Sequence, residues 1–184
     1  MAQKQNLIIL GGGQAAAYAA KEIRSVDNIS NLTIISEENF LPYERPPLSK
    51  DCLLNKKNFD QVLFFPKDFY EKNDINFINN KKIVDIDFDK NSIFSSSGDK
   101  FIYNKLLIAT GSVNRKLIVD KEFQDNEKDI LYLRDIKDSQ FIKEKLEYSK
   151  EILIIGGGFI GLEIASSASQ LGKKVSVVEM GKQL

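Results

Sequence analysis

LIILGGGQAAAYAA, residues 7–20, decides the fold of this chain, and ILIIGGGFIGLEIA, residues 152–165, repeats the decision. In each, a short run of aliphatic residues breaks into three glycines and then into a stretch of helix formers. A run of four or five apolar residues closed by glycine reads as a strand buried on both faces. The residues that follow predict helices over 14–24 and 159–171. Residues 32–36 and 175–178 read as second strands, each followed at once by a glutamate, Glu37 and Glu179. Strand, glycine turn, helix and strand make a right-handed β-α-β unit, and the chain holds two of them.

Position by position, the glycines have separate tasks. Gly11 permits the tight turn and Gly13 lets an anion approach the backbone. Ala16 is small enough for the helix to lie close on the strand. The new helix presents unpaired N–H groups and a positive dipole end to that anion. Glu37 follows Gly11 by 26 positions, against about 20 for an acid that binds the adenosine ribose. The second copy is the complete form, Gly156, Gly158 and Gly161, with Glu179 following Gly156 by 23 positions. Each therefore reads as a dinucleotide site. A carboxylate at Glu179 accepts from a ribose 2′-hydroxyl and repels a 2′-phosphate, so NADH is expected over NADPH.

Between the two units, FLPYERPPLSK at residues 40–50 places three prolines within six residues, which excludes regular structure through most of it. A short helix is expected to follow through residue 54, and another over 66–73. Runs at 83–88, 92–95 and 100–103, separated by turn residues, predict a small antiparallel meander. Residues 106–109 read as a further buried strand, followed by Thr110 and Gly111. Residues 116–129 read as a linker, and 139–148 as a helix with Asp138 as its N-cap.

Composition narrows the function. The 184 residues carry 26 basic and 26 acidic side chains, so the chain lacks the basic field of a nucleic-acid or membrane-surface binder. There is no histidine and one cysteine, Cys52, which removes histidine-based catalysis and leaves no histidine or cysteine-rich ligand set for a metal. The N-terminus has too short an apolar run for a signal peptide, and a cytoplasmic location is expected.

With both fingerprints, FLPYERPPLSK and LLIATGSVNRKL (residues 106–117) make the chain resemble the FAD-dependent pyridine nucleotide oxidoreductases, in the branch of the ferredoxin and rubredoxin reductases. The resemblance implies an α/β fold of tandem Rossmann-like FAD- and NAD(P)-binding domains, with the small meander and with the second domain truncated. The expected domains are residues 1–115, including the meander at about 83–103, and residues 116–184. It implies hydride transfer from NADH to FAD and electron delivery to an iron–sulfur protein such as ferredoxin or rubredoxin. An NADH oxidase, a nitrite reductase flavoprotein and a non-catalytic nucleotide-binding remnant are the alternatives.

By the same resemblance, Arg45 and Lys50 lie along the FAD, with Lys50 near the flavin N5. Ile83 contacts adenine through its backbone. Thr110 and Gly111 mark the crossing between domains, and Arg115 approaches the FAD. Glu163 faces the nicotinamide and pairs with Lys50; these two are the candidate catalytic residues. Cys52, in SKDCLL, matches no redox-cysteine context and is expected to be a packing residue. The family continues beyond the length seen here, so residues 1–184 are expected to be an N-terminal portion that is poorly stable alone, holds FAD weakly and is not a competent reductase by itself.

Overall fold

The computed structural model describes residues 3–120 and 129–182. They form two compact units. One comprises Met1–Glu44 and Leu63–Ser112, the other Arg45–Val62 and Val113–Leu184. The expected domains thus meet a chain that leaves its first unit at Glu44, gives Arg45–Val62 to the second, and returns at Leu63. A β-bridge between Tyr43 and Leu63 and a hydrogen bond from Phe64 N to Pro42 O close the base of that excursion within the first unit.

The first unit is a four-stranded parallel sheet whose strands lie in the spatial order Ile75–Ile78, Asn31–Ile35, Asn6–Leu10, Lys105–Ile108. Its strands are β1 (Asn6–Leu10), β2 (Asn31–Ile35), β3 (Ile75–Ile78) and β7 (Lys105–Ile108). Helix α1 (Gln14–Val26) connects β1 to β2, and α2 (Phe69–Lys72) leads into β3. Alternation along the strands divides the core. Ile9, Leu32 and Ile34 pack with Ala16, Ala20 and Tyr70 on the helical side. Ile8, Leu10 and Ile35 pack with Ile93 and Tyr103 on the other. The cover on that second side is the meander of β4 (Ile83–Asp87), β5 (Ser92–Ser95) and β6 (Lys100–Ile102), antiparallel as expected. Strands β1 and β2 are buried over most of their length, as parallel strands require, whereas β7, expected to be buried, is the sheet's edge strand and leaves Leu107 and Ile108 exposed.

Strand β3 was not expected. Its residues Ile75–Ile78, INFI, are few and bounded by polar residues, and pairing with β2 rather than local pattern makes them a strand. The expected helix at 66–73 shortens to α2, one turn.

The second unit carries α3 (Ile136–Tyr148), β8 (Glu151–Ile155), α4 (Phe159–Gln170) and β9 (Lys174–Val178), with β8 and β9 parallel. Helix α3 begins three residues before the expected start. Asp135 is its N-cap, accepting from Asp138 N at 2.9 Å, and Asp138 returns the bond from the third position as a capping box. Gly172 follows α4 at φ +74, the left-handed exit that glycine permits. The proline segment supplies a 3₁₀ turn, Pro46–Ser49, with proline at its start, and turns in place of the helix expected through residue 54. Leu53 from this segment is fully buried with Ile142, Leu146 and Ala168. On the other face of the two-stranded sheet, Leu153, Ile155 and Val178 are more than half exposed. The expected linker falls partly on 121–128, outside the described residues. No helix among the described residues is long and apolar enough to cross a membrane.

Candidate functional site

Each glycine turn is built as the spacing requires. Gly11 has φ +119 and Gly156 φ +105, conformations that side chains rarely adopt. Gly11 N–H donates to Ile35 O and Gly156 N–H to Val178 O, both at 2.8 Å, so each turn is tied to the end of its second strand. A side chain at Gly12 would strike Ser36 Oγ, so the buried Ser36 sets how closely the loop can lie. Beneath the turn, Ala16 is fully buried. Its counterpart Gly161 is stricter, since a Cβ there would collide with Gly156 O.

In contrast, a Cβ at Gly13 or at Gly158 would meet nothing within 4 Å. These two glycines cap the helices, whose first backbone bonds run from Ala17 N to Gly13 O and from Leu162 N to Gly158 O. The N–H groups preceding those bonds have no partner in the helix ladder. Glycine is kept where the space above it is open, beside those donors and a positive helix end. That is the arrangement an anion needs, and the residues present fit a pyrophosphate in both units.

The acids differ. Glu179 accepts from Gly157 N at 2.5 Å and from Gly181 N at 2.8 Å, which holds its carboxyl below the usual glutamate range. It is already ordered against the glycine loop. Glu37 is exposed and pairs with Lys82 at 3.1 Å. Ile83 opens β4, where the register shifts before Asp85. Thr110 and Gly111 follow β7, with Gly111 at φ +73. Arg115 is exposed on an irregular segment of the second unit.

The second unit also brings together residues more than a hundred positions apart. Lys50 Nζ lies 2.7 Å from Glu163 Oε1. The Lys50 ammonium, followed by a hydrogen bond from Ser49, holds the Glu163 carboxyl below its usual range. With the folded value lowered, the pair stabilises the fold above the ordinary glutamate pKa, and that contribution is lost as pH falls through the lowered value. Two clefts flank Glu163. One, about 410 Å³, is lined by Lys50, Leu54, Phe159 and Ser166. The other, about 250 Å³, is lined by Arg45, Ser49, Asn114 and Arg134. Arg45 Nη1 donates to Arg134 O.

Ser49 and Arg134 were missed by the sequence reading. The signal available for Ser49 was on its partner's helix: Glu163 and Ser167 are four apart on α4, hence on one face, and both bond to Ser49. Arg134, one residue before a helix cap, looks in sequence like an ordinary surface arginine.

A family model described as pyridine nucleotide-disulphide oxidoreductase matches residues 5–184. The chain belongs to that family.

Among its relatives, a rubredoxin-NAD(+) reductase of Pseudomonas putida is 34% identical over 94% of this chain. The ferredoxin–NAD(+) reductase component of a 3-phenylpropionate/cinnamic acid dioxygenase of Photorhabdus laumondii is 35% identical over 99% of it. The solved covalent complex of putidaredoxin reductase with putidaredoxin superposes with a TM-score of 0.88 at 27% identity, covering 96% of this chain. The chain spans 44% and 45% of the length of the two relatives and 42% of that solved chain. The family name includes disulphides, but Cys52 is single and buried. Burial, then the charge of Asp51, pushes its thiol above the usual value, away from the reactive thiolate.

Proposed function

We infer that this chain carries the two dinucleotide sites of an FAD-dependent NADH oxidoreductase that passes electrons to an iron–sulfur protein of the ferredoxin or rubredoxin kind. The observation that carries this reading is the duplicated glycine cradle, one per unit, open above Gly13 in the first and Gly158 in the second. FAD is assigned to Gly11, Gly13, Ala16, Glu37, Ile83, Thr110 and Gly111 and, by the resemblance alone, to Arg45, Lys50 and Arg115. NADH is assigned to Gly156, Gly158, Gly161, Glu163 and Glu179. The ordered Glu179 carboxylate supports NADH over NADPH, because a 2′-phosphate would meet a fixed negative charge.

The flavin, when bound, supplies the chemistry by accepting a hydride and releasing electrons one at a time. The chain's own contribution is electrostatic. Lys50 would place a positive charge beside the flavin near N5, the atom that takes the hydride, and Glu163 would hold that ammonium. Arg45 and Arg134 give one cleft two guanidinium side chains suited to anionic groups. The rubredoxin-NAD(+) reductase and the dioxygenase's ferredoxin–NAD(+) reductase component among the relatives support the choice of acceptor.

The test is anaerobic. Residues 1–184, carried within a protein of the relatives' full length, are mixed with FAD in a cuvette and NADH is added. Bleaching of the flavin band near ~450 nm, faster than in free FAD and lost in Lys50→Met, is the expected result. Bleaching at the free-flavin rate would contradict the assignment.

A further inference from the structure

The two oxygens of Glu163 have different partners. Oε1 takes the Lys50 ammonium at 2.7 Å, and Oε2 accepts from Ser49 Oγ. Ser49 is 2% exposed. Its own carbonyl accepts from Ser167 Oγ at 2.8 Å, and the carbonyl of Leu48 accepts from Ser139 Oγ at 2.9 Å. Ser167 and Ser139 are buried on α4 and α3. Three serine hydroxyls therefore bind Leu48 and Ser49 to two helices, each with its partner found, as buried polar groups require.

Lys50 itself is the loose end. Its side chain is 41% exposed and ends a long flexible stem. A half-exposed ion pair gains little from holding two such side chains in one geometry. A carboxylate turns readily about its last torsion, so alone it would follow the ammonium and not direct it. Ser49 removes that freedom by engaging the far oxygen from a buried position.

We propose that Ser49 is a positioning residue that acts through Glu163 to fix the place of the Lys50 ammonium. The geometry of Ser49 argues against a purely structural hydroxyl. Pro46 O lies 3.2 Å from Ser49 Oγ as a second acceptor within the same turn. A hydroxyl has one proton to donate. It goes to the carboxylate while Glu163 is ionised and is free to turn to Pro46 O when Glu163 is protonated. Loop closure alone needs only the second bond. The consequence for hydride transfer rests on the functional reading above; the coupling itself belongs to this chain.

Nuclear magnetic resonance of the full chain tests it, following the Glu163 carboxyl carbon and the Lys50 Cε through a pH titration without cofactor. The other charged groups lining the two clefts are Asp51, Lys56, Arg45 and Arg134. In Ser49→Ala the Glu163 midpoint rises toward the ordinary glutamate value, and the Lys50 signal sharpens toward that of a mobile lysine. Ser49→Thr, which keeps the hydroxyl, restores both. In a Glu163→Gln background, adding Ser49→Ala leaves Lys50 unchanged, since the route through the carboxylate is already cut. The proposal is overturned if Ser49→Ala moves neither signal, or if it moves Lys50 as much in the Glu163→Gln background as with the native glutamate. Should Ser49→Ala not fold, Ser49→Cys fills the same space with a weaker donor and carries the same expectations. A Lys50→Met chain that reduces FAD at the native rate would remove the functional reading and leave the serine coupling standing.

Discussion

Alanine at Gly11 will unfold the first unit, whereas alanine at Gly13 will leave it folded and weaken its hold on a dinucleotide. At Gly11 the added Cβ would collide with Ala109 O and lie 2.6 Å from Ala109 C and 3.0 Å from Thr110 N. All three are backbone atoms just beyond β7, which is itself hydrogen-bonded to β1, so neither side can withdraw. The φ of +119 adds strain of its own. Together these amount to about 3–5 kcal/mol, a large share of a domain's total stability. Gly13 has φ −97, which alanine adopts freely, and no atom within 4 Å of its Cβ position. There alanine is neutral or adds about 0.5 kcal/mol by restricting the unfolded chain. Its methyl would occupy the space over the end of α1. Displacing a phosphate from one charge-assisted bond costs about 1.5–3 kcal/mol, or roughly 10- to 150-fold in Kd. Urea unfolding and FAD titration of both variants separate the effects. A stable Gly11→Ala, or an unaltered FAD affinity in Gly13→Ala, would show that the cradle is misplaced.

Replacing Arg24 with methionine will cost about 3–4 kcal/mol without touching either nucleotide site. Arg24 closes α1, where a basic residue looks like a surface partner for the helix dipole. Instead it is 6% exposed, and its guanidinium donates to four backbone carbonyls. Nε reaches Asn73 O at 2.8 Å and Nη2 reaches Asp74 O at 2.7 Å. Nη1 reaches Asp27 O at 2.9 Å and Ser30 O at 3.0 Å. One side chain thus joins the end of α1 to the entries of β2 and β3. Methionine keeps the stem and abandons all four carbonyls. Lysine keeps the charge but not the fork, and should recover less than half of the loss. Urea midpoints of the three proteins at equal concentration decide it, and an unchanged midpoint in the methionine variant would mean the staple carries no stability.

What could be read before the structure was whatever is local. The glycine turns were legible because only glycine tolerates the φ at Gly11 and Gly156, and the strands because their apolar runs are uninterrupted, although burial held for β1 and β2 and not for β7, β8 and β9. Strand β3 was not, since four residues bounded by polar neighbours carry no period and the pairing with β2 is made across about forty positions. The cap of α3 was shifted because Asp135 and Asp138 are both good caps, and only the reciprocal bond shows which is outside the helix. In the candidate site, the Lys50–Glu163 pair was expected from resemblance and is seen at 2.7 Å. Arg24 left no trace in the sequence, and Ser49 left one only on its partner's helix, for one reason. Each is a polar residue whose importance comes from burial against distant partners, and burial of a polar group is the one property its sequence context does not advertise.

The most direct measurement of the central claim, two separate dinucleotide sites in one chain, is a two-dimensional amide spectrum recorded with FAD and then with NADH. It reads weak binding as well as strong. The account predicts that FAD shifts Gly11, Gly13 and the first turn of α1 with Glu37, and that NADH shifts Gly156, Gly158 and the first turn of α4 with Glu179. Both nucleotides moving the same glycine turn, or NADH leaving the second turn untouched, would contradict it.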